Sequence, residues 1–362
     1  MQIKDVDVDV HVHPSPKDAS PIFIIGNGRS GTTLMRLMLN AHPKIYIAEE
    51  INYHYVMKTY LGSFRRRLYD YFQSFSYAWL RMDPQVVLDV LPAKPEERDS
   101  AAVYLRILEC KAAQYGKTRV GEKGPMLSLA LDLLYRDYPN ARVIHMVRDP
   151  RSVVYSHITM PWSTPSLLMA NWMVWFNMKA IQRYGDRILN IKLEDVVAQP
   201  EATMRKVLAF VGEEWSDDIL HHNEHLLPND GIPFPWLNEA ARRPKQKTIT
   251  WKEVLSPTWI RMIENTNRET FKTFGYAPLP LPSEPSLWDK TRAVAVDLPQ
   301  FVRTLWNALR LGTRFHLVPK SDARALQALM HSTNPAAWDM HPEWDRTLPE
   351  PPRVNPPRQL LE

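Results

Sequence analysis

The chain is poor in the features that would assign it quickly. It has a single cysteine, Cys110, in 362 residues, so no intramolecular disulfide can form, and a reducing compartment is the expected setting. No window approaches the roughly 18 uninterrupted apolar residues that a membrane-crossing helix needs. The opening MQIKDVDVDVHVHPSPKDAS alternates acids and histidines with valines and has no apolar stretch of signal-peptide length. A cytoplasmic protein without stable membrane insertion is the expectation. Charge of one sign is not concentrated either. The net charge of +5, from 45 basic and 40 acidic residues, does not call for nucleic acid and suits a basic pocket for a small, multiply charged anion.

What is present is an ordinary globular composition, 44% hydrophobic and 23% charged, with strands and helices in alternation. PIFIIG is a short apolar run ending at glycine, the pattern of a buried parallel strand. TTLMRLMLNAHP then places Leu34, Leu37 and Met38 on one helical face, with Pro43 just past its end. KIYIAEE, RVGEKGP, ARVIHMV and RILNIKLEDVV read as further strands. MLSLALDLLYRDYP, STPSLLMANWMVWFNMKAIQRYG (capped by Ser163 or Thr164), QPEATMRKVLAFVG and PTWIRMIENTNRETFKTFGY read as helices. Such alternation implies βαβ crossovers and a parallel sheet covered on both faces. The expected fold is a P-loop-like three-layer α/β/α domain over 21–278, with a helical insertion at 52–118. A leader at 1–20 precedes it, and a Pro-rich connector, helical extension and tail at 279–362 follow. Tyrosines and phenylalanines at three- and four-residue spacing in the insertion read as helix-packing core.

The turn after the first strand carries chemistry. Gly26 to Thr33 reads GNGRSGTT, which fits the phosphate-loop pattern at every position except the lysine, replaced by Thr32. Backbone amides at a strand-to-helix turn still form an anion nest, and the helix N-terminus adds partial positive charge. The cation that would reach the outer phosphates of a nucleoside triphosphate is missing, and Arg29 stands three positions earlier. A second turn, HMVRDPRSVVYSH, offers Arg148 at the end of a strand, Arg151 in the turn and Ser156 in the next helix. Arginine's planar fork suits phosphate, and serine adds a donor. In a parallel sheet both turns face the crevice at the carboxyl ends of the strands.

With these two turns in order, the chain resembles the sulfotransferases that use 3′-phosphoadenosine 5′-phosphosulfate (PAPS), and is most similar in motif to their tyrosylprotein sulfotransferase branch. GNGRSGTTLMRLMLNAHP…AEE resembles the 5′-phosphosulfate loop, and HMVRDPRSVVYSH resembles the 3′-phosphate strand and turn. IKLEDVVAQPEATMRKVLAFVG is similar to the acidic strand and helix that follow, with Leu193 where the family often has tyrosine. The likeness runs from about Pro21 to Tyr276. It implies PAPS as donor co-substrate, held by Arg29, Ser30, Gly31, Thr32 and Thr33 at the 5′ end. Arg148 and Ser156 would hold the 3′-phosphate, with Arg151 nearby. Glu50 would be the general base, and Lys123 would contact the transferring sulfonate together with Arg29. By the same likeness, one basic residue among Arg242, Arg243, Lys245 and Lys247 closes over the 3′-phosphate, Lys247 being chosen.

The implied roles fit the chemistry. An acceptor hydroxyl needs its proton taken as the S–O bond forms, and a carboxylate made more basic by burial suits that work. His54 is a reserve base. A single 5′-phosphosulfate does not require the lysine, and no metal is expected. Alternatives stay open: a P-loop kinase or other phosphotransferase, or a non-catalytic nucleotide-binding module. His221, His222 and His225 lack an obvious fourth metal ligand. FRRRLYDYF reads as a solvated helix face. The amphipathic FVRTLWNALRLGTRFHLV reads as docking on the core or on a second copy, as in a homodimer, rather than on a membrane. The acceptor is a small-molecule or peptidyl hydroxyl.

Overall fold

The computed structural model describes residues 15–78, 80–160, 162–228, 251–314 and 357–360. Five parallel strands form one sheet: β1 (Ile22–Gly26), β2 (Ile45–Glu49), β3 (Arg119–Lys123), β4 (Arg142–Val147) and β5 (Ile188–Lys192), in the order β2-β3-β1-β4-β5. β1 lies at the centre and all five of its residues are buried, which is why its sequence is apolar without alternation.

The helices are α1 (Thr32–Ala41), α2 (Tyr53–Thr59), α3 (Phe64–Phe72), α4 (Phe75–Ala78), α5 (Pro84–Leu88), α6 (Ser100–Ala113), α7 (Leu131–Asp137) and α8 (Pro150–Ile158). They continue as α9 (Leu167–Gln182), α10 (Leu193–Ala198), α11 (Pro200–Val211), α12 (Trp251–Val254), α13 (Pro257–Thr266), α14 (Arg268–Phe274) and α15 (Leu287–Arg314). Ile22 and Ile24 pack against Met35 and Met38 of α1 and Met204 and Leu208 of α11. Phe23 and Ile25 face the other way, into a cluster with Tyr104 and Leu108 of α6 and Leu134 of α7. The period-2 alternation of β1 thus feeds two cores, one on each face, and the fold is three-layer α/β/α. The chain leaves β1 toward β2 on one side and later returns to β4 on the other. That reversal opens a crevice at the carboxyl ends of the central strands.

In the segment 52–118 the rings of Tyr53, Tyr71, Tyr77 and Tyr104 are all fully buried, so this aromatic spacing serves packing. Several element ends differ from the sequence reading. Helix α9 is capped by Ser166, not Ser163 or Thr164: Ser166 Oγ accepts from the Met169 amide at 3.1 Å. Ser166 in turn donates to Asp297 of α15 at 2.5 Å, and Asp297 also accepts from the Leu167 and Leu168 amides. The cap is therefore chosen by a carboxylate about 130 residues away, and the same contacts dock α15 on the core. The helix expected over PTWIRMIENTNRETFKTFGY breaks at Asn267, whose side chain donates to Ile263 O and to Asn171. A 3-10 turn at Pro125–Ala130 precedes α7, and β5 ends at Lys192, the acidic Leu193–Asp195 belonging to α10. Arg66 and Arg67 of α3 pair with Asp70 and Glu97.

Candidate active site

The turn after β1 is shaped for an anion. Ser30 folds back on Asn27, its amide and hydroxyl both donating to the Asn27 carbonyl at 3.2 and 2.5 Å. Arg29 and Gly31 adopt left-handed conformations, with φ of 71° and 91°, the alternation that turns successive amides inward as a nest. Gly31 suits this position: a Cβ there would meet Leu193 Cδ1 at 2.6 Å, and its φ of 91° is one that side chains resist. Gly28 keeps room above the loop, since a Cβ would lie 3.1 Å from the Trp162 ring and 3.4 Å from His157. No side chain caps the first turn of α1, so its amides are the donors that a helix N-terminus offers an anion. Thr32 and Thr33 lie in that turn.

Three of the expected phosphate contacts come together here. β4 runs beside β1 in parallel register, Gly26 opposite Met146, which brings Arg148 to the loop. Arg148 Nη1 donates to the Arg29 carbonyl at 2.9 Å, and Arg29 Nε donates to Ser156 Oγ at 3.0 Å. Arg151 does not join them. It is buried, ion-paired to Asp149 and to Glu264 at 2.8 and 2.7 Å, and held between the rings of Trp251 and Phe271. Its guanidinium is thus held by the framework, and the partner that captures it, Glu264, comes from α13. Lys247, with Arg242, Arg243 and Lys245, lies outside the described residues. Beneath the loop His157 is bonded to Ser163 at 2.8 Å. Burial, with the Arg29 charge, depresses its pKa to about 4.

At the other end of the crevice β2 and β3 pair with Glu49 opposite Lys123. The buried Lys123 ammonium donates to Glu49 and, at 2.6 Å, to Glu50 Oε1. Glu49 also pairs with Arg36 of α1 at 2.5 Å. Burial opposes ionisation of Lys123 and Glu49, but their mutual attraction, with the charges of Glu50 and Arg36, prevails. The lysine is held above its usual range and Glu49 below its own, so both are ionised at neutral pH. Glu50 is not buried; its side chain is 45% exposed. Its backbone is left-handed, φ 36°, and its amide donates to the Lys123 carbonyl at 2.8 Å. His54 is withdrawn from such work: its ring is enclosed by Tyr53, Tyr104 and Tyr138, and burial lowers its pKa to about 4.

The buried carboxylate is instead Glu122, which sequence reasoning did not single out. It is fully buried, accepts from the Asn52 amide at 3.1 Å and the Tyr104 hydroxyl at 2.7 Å, and burial raises its pKa to about 7 despite those bonds. The available signal was alternation: in a strand Glu122 and Lys123 must point to opposite faces. Elsewhere, His222 is buried, while His221 and His225 face Glu224 and Asp218. Among the described residues no group of three or more His, Cys, Asp or Glu is placed to hold a metal ion.

Comparison with known proteins agrees with the motifs. A model described as "Sulfotransferase family" matches residues 21–217, more than half of the chain. The chain is 31% identical over 230 residues to protein-tyrosine sulfotransferase 1 of Danio rerio, covering 60% of this chain and 59% of that protein. It is 26% identical over 237 residues to protein-tyrosine sulfotransferase of Drosophila melanogaster, covering 61% and 43%. It thus spans about half the length of these curated relatives. Among solved structures, the sulfotransferase domain of the Synechococcus PCC 7002 olefin synthase superposes with a TM-score of 0.53 at 22% identity, over 75% of this chain and 98% of that one, a likeness of fold.

Proposed function

Because the chain belongs to the sulfotransferase family, we propose that it moves a sulfonate group from PAPS to a hydroxyl acceptor, with Glu50 as the general base. The observation that carries this reading is the convergence at the carboxyl ends of neighbouring strands. The amide-lined turn with Arg29, Arg148 and Ser156 lies at β1 and β4, and the Lys123–Glu50 pair lies at β2 and β3. The donor set fits the donor: a nest, a helix N-terminus and two arginines answer two separated phosphate groups, and Gly28 leaves space where a Cβ would crowd Trp162.

The bound donor supplies an electrophilic sulfur and a good leaving group. On this reading the amides of 29–33 and Arg29 hold the 5′-phosphosulfate, and Arg148 and Ser156 hold the 3′-phosphate. Glu50 takes the acceptor's hydroxyl proton as the acceptor oxygen bonds to sulfur. The opposite S–O bond breaks with its electron pair left on the bridging oxygen of adenosine 3′,5′-bisphosphate. Lys123, rigidly held by its carboxylate partners, stabilises the charge that gathers on the sulfonate and bridging oxygens. The names of the matched relatives make a peptidyl tyrosine the acceptor of choice. Residues 21–278 would form the transferase unit. No described helix is long and apolar enough to cross a membrane.

Two measurements test the reading. Adenosine 3′,5′-bisphosphate should raise the melting temperature selectively; stabilisation by ATP with magnesium alone would overturn the donor assignment. Arg148→Ala should weaken bisphosphate binding by about tenfold or more, while Glu50→Ala should leave it intact and lower turnover by about 10²–10⁴-fold. Equal losses of bisphosphate affinity in both variants would refute the division of roles.

A further inference from the structure

We propose that Glu122 is a positioning residue for this site: its buried carboxylate takes the place of a sheet partner for the amides that follow Glu50, and so fixes where Glu50 points. The proposal rests on the reading of Glu50 as the base. Among the described residues β2 is the edge strand of the sheet and has β3 as its one neighbour. The Glu50 amide makes the last ladder bond between them, to the Lys123 carbonyl at 2.8 Å, while on the other side of β3 the Gly124 amide continues the ladder to Ile24 O of β1 at 3.0 Å. The next amides, of Ile51 and Asn52, have left the ladder. Ile51 is fully buried, so water cannot satisfy this backbone, and an unsatisfied buried amide is costly.

Glu122 resolves the problem. Its Oε1 accepts from the Asn52 amide at 3.1 Å, and the nearby Ile51 amide favours the ionised form of the same carboxylate. Its Oε2 is anchored from behind by the Tyr104 hydroxyl at 2.7 Å. The turn needs such a clamp because Glu50 and Asn52 are both non-glycine residues in left-handed conformations, φ 36° and 51°, which relax unless the surroundings hold them. From the other side Asn52 Nδ2 donates to the Glu50 carbonyl at 2.8 Å and to Ser76 Oγ at 3.2 Å. Glu122 and Lys123 are consecutive, so one residue pair of β3 grips Glu50 twice: Lys123 by its side chain, Glu122 by its backbone turn.

The test is Glu122→Gln, which keeps the volume and one acceptor oxygen but removes the charge that strengthens the amide bonds. Turnover should fall about tenfold while adenosine 3′,5′-bisphosphate affinity stays within about twofold, since a small misplacement of a catalytic group costs rate rather than donor binding. Hydrogen exchange at the amides of 50–53 should quicken. The pH profile separates this from a merely structural role. The ionisable groups that bear on Glu122 are Tyr104 of α6, Tyr71 of α3, Tyr138 and Glu50. Turnover of the natural protein should rise through neutrality as Glu122 ionises. Glu122→Gln should remove that rise, and Tyr104→Phe, which deletes a bond favouring the ionised form, should move it to higher pH.

Natural turnover and exchange in Glu122→Gln would overturn the proposal, as would a parallel loss of turnover and bisphosphate affinity. If the natural protein neither binds the bisphosphate nor transfers sulfonate, the functional reading fails. Exchange at 50–53 then still decides the positioning role, faster exchange supporting it and unchanged exchange sinking it.

Discussion

At the β2–β3 end of the crevice, Lys123 sits among carboxylates: Glu49 and Glu50 accept from it, and Arg36 closes the cluster on Glu49. At the β1–β4 end, cations meet neutral acceptors: Arg148 donates to a carbonyl and Arg29 to a hydroxyl. An ion cluster fixes the position of a few atoms tightly and suits groups that must be aimed. Long arginines that reach a carbonyl and a hydroxyl offer planar forks that suit a ligand bringing its own negative charge. On the function proposed above, the two ends divide aiming from holding.

The largest effect expected lies just behind the β4 turn. Arg151→Ala should destabilise the fold by about 3–5 kcal/mol, because it takes from the buried Glu264 one of its two cations, leaving Arg261, removes the partner of Asp149 and empties the space between Trp251 and Phe271. Urea denaturation measures this. Arg148→Ala, three residues earlier, should stay within about 1 kcal/mol of the natural protein. Equal costs would erase the distinction between a framework arginine and a ligand-facing one.

Next comes the aiming end. Lys123→Ala should lower turnover by about 10²–10³-fold with little change in bisphosphate affinity, measured by steady-state kinetics and ligand titration. It should also destabilise the fold, since Glu49 and Glu50 then face each other without the cation between them. A variant that loses donor affinity instead would place Lys123 in the holding set.

The same division explains what the sequence could reveal. The holding end was legible because its parts are local: glycines at fixed offsets, an arginine at a strand end, a serine two turns into a helix. The alternation of strands and helices was legible for the same reason. Arg148 and Arg151 could not be separated by inspection, because what distinguishes them is Glu264, 113 residues away. Ser166 could not be picked as the α9 cap before Asp297 was brought to it. Glu122 was hidden most thoroughly. An acid beside a lysine reads as a surface pair, and only the parallel register with β2 turns it inward beneath the Glu50 turn.

The smallest effect expected is a difference in how the two ends respond to acid. His157 under the loop and His145 on β4 are buried and neutral, with pKa depressed by burial to about 4. A depressed histidine contributes stability above its unfolded pKa of about 6.5 that is lost as pH falls toward the folded value. Glu122 at the other end has the opposite sign. Its folded pKa, raised by burial to about 7, makes its contribution complete below the unfolded carboxylate value and lost as pH rises through neutrality. His54 joins the histidines, its pKa also about 4, and burial lowers His42 as well, so the histidines together oppose Glu122 and melting temperature should fall as pH drops from 6.5 to 4. Each group changes the slope by at most about 1.4 kcal/mol per pH unit. His157→Gln should therefore flatten the profile between pH 4 and 6.5. Glu122→Gln should steepen the rise of stability between about pH 4.5 and 7 by removing the opposing term. Urea midpoints across this range check both, and slopes that move together would show that the two ends do not titrate with opposite signs.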